Sequence, residues 1–156
     1  MMRLTPDAAP SPGSTGETLS FIQGLLHLAH ALQVKSRRMM LKLGVTAPQR
    51  IVVRVIGQTP GISPREIATV LKLHPSTLTG VLARLERDNL IDRRVDPRDG
   101  RRAQLRLTRA GRKIDREQRG TVEAAVRRAL GRADRATIER TEHMLRLLIA
   151  ELERKR

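Results

Sequence analysis

Apolar residues recur at helical spacing through most of the chain, with one interruption where the period drops to two. Ile22, Leu25, Leu26, Ala29, Leu32, Met40 and Leu43 mark one face of a long amphipathic helix that begins near Glu17 and stops at Gly44. Thr46 and Gln49 have the spacing of a capping box, in which each side chain satisfies the other residue's main-chain N–H, and predict a second helix through Ile56. Pro60-Gly61 breaks the chain. Ser63 and Glu66 repeat the capping-box spacing, with Pro64 at the first helical position, and predict a third helix to about Leu71. A fourth starts at His74-Pro75 and runs to about Asp88. Its Leu78, Val81, Leu82 and Leu85 bury one face, while Ser76, Gly80, Ala83, Arg84 and Arg87 look outward. Two short helices joined by the tight Leu71-Lys72-Leu73-His74 turn have the layout of a helix-turn-helix.

After Asn89 the pattern changes. Leu90 to Val95 and Ala103 to Thr108 alternate apolar and polar residues around Asp96-Pro-Arg-Asp-Gly-Arg-Arg102, which predicts a β-hairpin with a charged tip. Helical spacing then returns from about Ala110 to Leu130, and again from Asp134 to about Glu153. In the last of these, Ile138, Leu145, Leu148, Ile149 and Leu152 share a side. Residues 1–16 carry Pro, Gly and Ser without apolar periodicity and read as a disordered arm. The fold class expected is mainly α with a small β-hairpin wing.

Charge narrows the function. Thirty-one Lys and Arg against sixteen Asp and Glu leave a formal +15 on 156 residues. That excess repels itself in a compact domain and points to a polyanionic partner, although arginine-rich codon usage would also raise it. From Arg93 to Lys113 nine basic residues stand against two acidic ones, the densest positive stretch in the chain. Phe21 is the one aromatic residue, so the stacking platforms that bind single-stranded nucleic acid lack their material and duplex DNA is favoured. The absence of cysteine excludes thiol redox sensing, disulfides and thiolate metal sites. With no long apolar run and no leader pattern, a cytoplasmic protein is expected. No nucleophile elbow, Gly-rich phosphate loop or helical His/Glu metal motif is present, and the carboxylates sit mostly among arginines, so an enzyme is not expected.

A helix-turn-helix followed by a basic hairpin is a winged helix. A helix fits the major groove, where base edges are distinguishable, and a thin hairpin can send an arginine into the minor groove. The run from His74 to Arg112 resembles the core of the MarR family of transcription regulators. The matching pieces are Ser76-Thr77-x-Thr79, Arg84-Leu85-Glu86, Leu90-Ile91-x-Arg93, Asp99-x-Arg101 and Leu107-Thr108-x-x-Gly111. The resemblance implies a winged helix-turn-helix over residues 46–109. It is flanked by a dimerisation helix at 17–45 and dimerisation helices at 110–156, in a homodimer whose two recognition helices enter successive major grooves of a pseudo-palindromic operator. It further implies a repressor with a cleft where many relatives bind small aromatic or phenolic ligands that weaken DNA binding.

Carried onto this sequence, Ser76, Thr77 and Thr79 meet bases or phosphates at the recognition-helix start, with Arg84, Arg93 and Arg98 alongside. Arg101 reaches the minor groove, oriented by Asp99 two residues earlier on the same hairpin face, and Arg102 and Arg106 contact phosphates. Gly80 stands where relatives often carry a larger polar or basic residue, and Asn89 replaces the usual glycine after the recognition helix. Asparagine tolerates the left-handed conformation such a position takes.

Each of these readings has a plainer counterpart. Ser76 and Thr77 can merely cap backbone groups, and the wing arginines can form a solvated face. His27 and His30 lie one turn apart, a spacing that chelates metal, but no third ligand is placed with them, so no metal or cofactor is expected. Met39-Met40 reads as core filling. Two alternatives to a ligand-released, sequence-specific regulator stand beside it. One is a non-sensing, weakly specific DNA-binding protein, which Gly80 and the scarcity of aromatics favour. The other is a winged helix used only for protein contacts, which the charge excess disfavours.

Overall fold

The computed structural model describes residues 13–97 and 99–154, with the side chain of Arg101 excluded. Arg98 and most of the expected N-terminal arm therefore lie outside the described residues. Within them the order is α1 (Thr15–Leu43), α2 (Ala47–Gln58), α3 (Pro64–Leu71), α4 (Pro75–Arg87), β1 (Ile91–Asp96), β2 (Asp99–Leu107), α5 (Arg109–Arg116), α6 (Val122–Leu130) and α7 (Arg135–Glu153).

Helix ends follow local chemistry. Gly44 closes α1 in the left-handed conformation at φ 72°, donating its N–H to the Met40 carbonyl. Both capping boxes form: Thr46 with Gln49 opens α2, and Ser63 with Glu66 opens α3. Ser14 caps α1, which places Thr15 and Gly16 in the helix; the arm expected through residue 16 is therefore shorter at its C-terminal end. Asn89 takes φ 53° between α4 and β1, as a left-handed asparagine should.

The core gathers where α2, α3, α4 and the hairpin meet. Val52, Val53, Ile56, Ile67, Leu82, Leu85 and Leu105 are wholly or almost wholly removed from water. At about 2–5 kcal/mol for truncating a buried Leu or Ile to Ala, any of them is sufficient to threaten a domain of ordinary stability. β1 and β2 pair antiparallel from Ile91↔Leu107 to Val95↔Ala103. On the free side of β2, Gly61 N–H donates to the Leu105 carbonyl and Leu105 N–H to that of Ile62, stitching the α2–α3 connection to the hairpin as a very short third strand.

Two features depart from the pattern in the sequence. The ladder jumps from Val95↔Ala103 to Asp96↔Asp99, so β2 starts at Asp99 rather than Ala103 and residues 100–102 bulge out. The single helix expected from Ala110 to Leu130 is two helices. α5 ends at Arg116, Gly120 takes φ 76°, and the buried Thr121 caps α6. α5 packs on α2 and β2, within the same lobe as the helix-turn-helix, so the boundary expected at residue 110 falls inside a packed unit. Gly111 is required there, because a Cβ would collide with the Leu90 carbonyl.

Candidate nucleic-acid interface

α4 presents the face the sequence assigns to it. Leu78, Leu82 and Leu85 are buried, and Ser76, Thr77, Thr79, Gly80, Arg84 and Arg87 are exposed. His74 is the N-cap, a role the sequence did not signal because histidine rarely caps: its Nδ1 lies 2.8 Å from the Ser76 hydroxyl and accepts the Ser76 N–H at 3.4 Å. Thr79 donates its hydroxyl proton to the Pro75 carbonyl at 2.8 Å. That oxygen is left to accept, which suits an amino group on a base edge rather than a phosphate. No Cβ at Gly80 would meet anything within 4 Å, so packing does not demand a glycine there.

The hairpin is tied to the helices by ion pairs. Arg93 of β1 donates to Glu86 of α4 at 2.7 Å, and Arg102 of β2 lies 3.6 Å from Glu66 of α3. Cross-strand pairing sorts the basic residues. Arg93 pairs with Leu105, which is buried, and so faces α4 and the core; Asp92↔Arg106 and Arg94↔Gln104 occupy the opposite face. Thus Arg93 joins Thr79 along one flank of α4, while Ser76, Thr77 and Arg84 lie exposed on the same helix. Arg106 does not join them. The same-face argument for Asp99 and Arg101 assumed unbroken alternation, which the bulge at residues 100–102 interrupts.

Arg65 was passed over in the sequence. It lies in the first turn of α3 and lines a groove of about 520 Å³ with Thr79 and Arg93. A cation at a helix N-terminus opposes the helix dipole, and that placement was the available signal that set Arg65 apart. Glu66, beside it, has its carboxyl held below the ordinary value by hydrogen bonds from the Ser63 side chain and main chain, with Arg102 adding to the effect. Among the described residues no group of three or more His, Asp or Glu is arranged to hold a metal, and no helix is long and apolar enough to cross a membrane.

Away from this face, an apolar hollow of about 430 Å³ lies between α1, α2, the α3–α4 turn and the start of α6, walled by Leu32, Ile51, Leu71, Leu73 and Val122. Its polar lining is slight: Gln33 and Ser36, whose hydroxyl already accepts the Ala47 N–H at 2.9 Å.

Comparison with known proteins agrees with this architecture. Residues 43–102 match the model of the MarR family. The chain is 32% identical over 90 residues to the HTH-type transcriptional repressor Rv2887 of Mycobacterium tuberculosis, covering 58% of this chain and 65% of that one, a little under two thirds of its length. It is 31% identical over 117 residues to the HTH-type transcriptional repressor IacR of Pseudomonas putida, covering 74% of this chain and 70% of the relative. The PcaV transcriptional regulator of Streptomyces coelicolor, solved in complex with its natural ligand, superposes at a TM-score of 0.62 with 26% identity over 97% of this chain and all of that one. A winged helix whose recognition helix, hairpin and flanking helices stand in this order, with a relative of this identity across most of its length, belongs to the MarR family.

Proposed function

We propose that the chain is a homodimeric, sequence-specific, duplex-DNA-binding transcription repressor that a small ligand releases from its operator. The observation that carries this reading is the joined surface of α4 and β1. Exposed polar and basic side chains line it, Thr79 with an acceptor to spare, and Arg93 fixes the wing to the recognition helix through Glu86 at 2.7 Å. Ser76, Thr77, Thr79 and Arg84 are assigned to the major groove, Arg65 and Arg102 to phosphates, and Arg101 to the minor groove, with Asp99 orienting it and Arg98 beside it. Arg106, on the other face of the hairpin, is left out of this surface.

Dimerisation is supported by what the single chain leaves uncovered. α7 buries none of its side chains, and Leu145, Leu147, Ile149 and Leu152 are exposed, as are Leu19, Ile22, Leu26 and Leu28 on α1. Apolar faces of this extent on two long helices need a partner surface. Release by a ligand is supported by the apolar hollow between α1 and the helix-turn-helix, which suits a small aromatic or phenolic molecule bound through its ring and one or two polar contacts.

Selection of bound duplexes from a random pool at physiological salt tests the reading. Enrichment of one inverted repeat is expected. Equal recovery of all sequences, with random duplex competing fully, would instead identify a weakly specific DNA-coating protein.

A further inference from the structure

On the side of the hairpin facing away from α4, a concave cleft of about 760 Å³ lies between the end of α2, the base of the wing and α5. Arg94 reaches it from β1, Arg106 from β2, and Arg112 and Arg116 from α5. Two acidic residues also line it, and both are already engaged: Asp92 with Arg94 at 2.7 Å, and Asp115 with Arg54 at 2.8 Å. Arg112 is braced in place by donating to the Leu107 carbonyl at 2.8 Å. Among the described residues no ion pair takes up Arg106 or Arg116, both exposed. Pro60 and the buried Ile56 supply apolar surface.

We propose that this cleft binds a small polyphosphorylated molecule, at a site separate from the DNA surface. Guanidinium groups from three elements converge on one concavity and repel one another unless an anion sits between them. A solvated face would spread its charge over a convex surface. The volume falls within the range of small-molecule sites, and planar guanidinium forks match phosphate oxygens in pairs. A duplex is the other polyanion that would be drawn to such charge. It is a convex cylinder, and the register places Arg94 and Arg106 on the face of the hairpin opposite Arg93 and α4. The cleft joins α2 and α5 to the base of the wing, so occupancy would stiffen the wing from behind without competing for its DNA face.

Calorimetric titration of the full chain with inorganic tripolyphosphate, in buffer at physiological salt, tests the site. One tripolyphosphate per chain is expected. Binding should weaken by at least about tenfold in an Arg106→Ser/Arg116→Ser variant, and stay within about twofold in the charge-matched Arg84→Ser/Arg87→Ser variant. Hydrogen exchange on the unmodified chain should show added protection in β1, β2 and α5, and little in α4. Equal weakening in the two variants, many weak sites per chain, or protection centred on α4 would overturn the proposal and indicate adherence to net charge alone. A greater loss of duplex-DNA affinity in the Arg106→Ser/Arg116→Ser variant than in the Arg84→Ser/Arg87→Ser variant would overturn it too, by making the cleft a DNA contact.

Discussion

The guanidinium of Arg50 meets the carboxylate of Glu123 at 2.9 Å across 73 residues of sequence, and the contact fixes where the second half of the chain turns away from the first. Arg50 is 2% exposed, and its remaining N–H groups donate to the carbonyls of Ile114, Asp115 and Glu117. Those carbonyls lie at the end of α5, where the Ile114 carbonyl also accepts the Glu117 N–H and the Asp115 carbonyl also accepts from Arg54. One planar fork thus caps a helix terminus and pairs with α6, a task the three-donor ammonium of lysine cannot perform in the same geometry.

The energetic consequence is a ranking. Arg50→Met leaves the Glu117 carbonyl and the Glu123 carboxylate unanswered, while Ile114 keeps the Glu117 N–H and Asp115 keeps Arg54, and should cost about 3–5 kcal/mol. Glu123→Gln keeps the carbonyl contacts, and the Glu123 side chain retains some water access at 28% exposure, so about 1 kcal/mol is expected. Urea unfolding of both variants gives the order. A Glu123→Gln as damaging as Arg50→Met would mean that the ion pair, rather than the carbonyl cap, holds the junction.

This junction also marks where the sequence stopped being legible. The capping boxes at Thr46 and Ser63, the stop at Gly44 and the left-handed Asn89 are local devices, each written within four residues, and each appears in the structure as read. The break between α5 and α6 is not local. Apolar spacing runs through it from Ile114 to Val122 and Val126, and the carbonyls at its start are met by Arg50 and Arg54, more than sixty residues earlier. Lys72, at φ 50° in the helix-turn-helix turn, gave no signal because lysine has no preference for that conformation. The exposed face of α4 was legible because the apolar spacing of Leu78, Leu82 and Leu85 defines it. In the wing, counting charges does not tell which strand face each arginine occupies, and the bulge at residues 100–102 that resets the alternation has no local signal.

Gly80 offers a test of what the recognition face requires. It sits mid-helix, exposed, with open space beside it. Gly80→Ala should therefore raise folding stability by about 0.5–1 kcal/mol. If the backbone at Gly80 approaches the DNA closely, the same change should weaken operator binding. Measured together, a stabilised protein with lowered DNA affinity is expected. Unchanged affinity would show that the groove stands off from this part of α4.

Stability should depend on acid through two caps. Hydrogen bonds from Ser63 lower the Glu66 carboxyl from 4.5, and hydrogen bonds from Thr137 lower that of Asp134 from 3.8. A carboxyl lowered in the folded state favours folding when both states are ionised. Its contribution is therefore present above the unfolded value and fades as pH falls below it toward the folded one. Glu66→Gln should flatten the acid limb of the stability curve below about pH 4.5 while leaving the neutral limb parallel to the parent. Urea midpoints between about pH 3 and pH 7 decide this, and an unaltered acid limb would show that other carboxylates dominate it.

The interface assignment is exposed to a simple substitution. Ile149 is 52% exposed on α7, so Ile149→Glu should leave the single chain folded. In a dimer built on α1 and α7 it would bury a charge, and sedimentation should move from twice 17.5 kDa toward 17.5 kDa. A variant that remains a dimer with unchanged DNA binding would place the interface elsewhere.

The wing supplies the sharpest test of DNA recognition. Arg101→Ala should cost about 1–3 kcal/mol of operator binding, most over A·T-rich steps, because a narrow minor groove concentrates negative potential on an inserted guanidinium. Arg102 is partly neutralised by Glu66 at 3.6 Å, so Arg102→Ala should weaken all duplexes alike and lower the salt slope by no more than about one. Asp99→Ala separates orientation from charge. Removing an anion from a DNA-facing surface should tighten binding if charge alone acts. If Asp99 orients Arg101, affinity should fall, and the double variant should lose little more than Arg101→Ala by itself. The bulge makes this coupling a demanding expectation, since Arg101 lies within it and Asp99 at its edge, where strand alternation fails. Tighter binding in Asp99→Ala, with Arg101→Ala no worse than Arg102→Ala, would reduce the wing to a positively charged flap and move the protein toward weakly specific DNA binding.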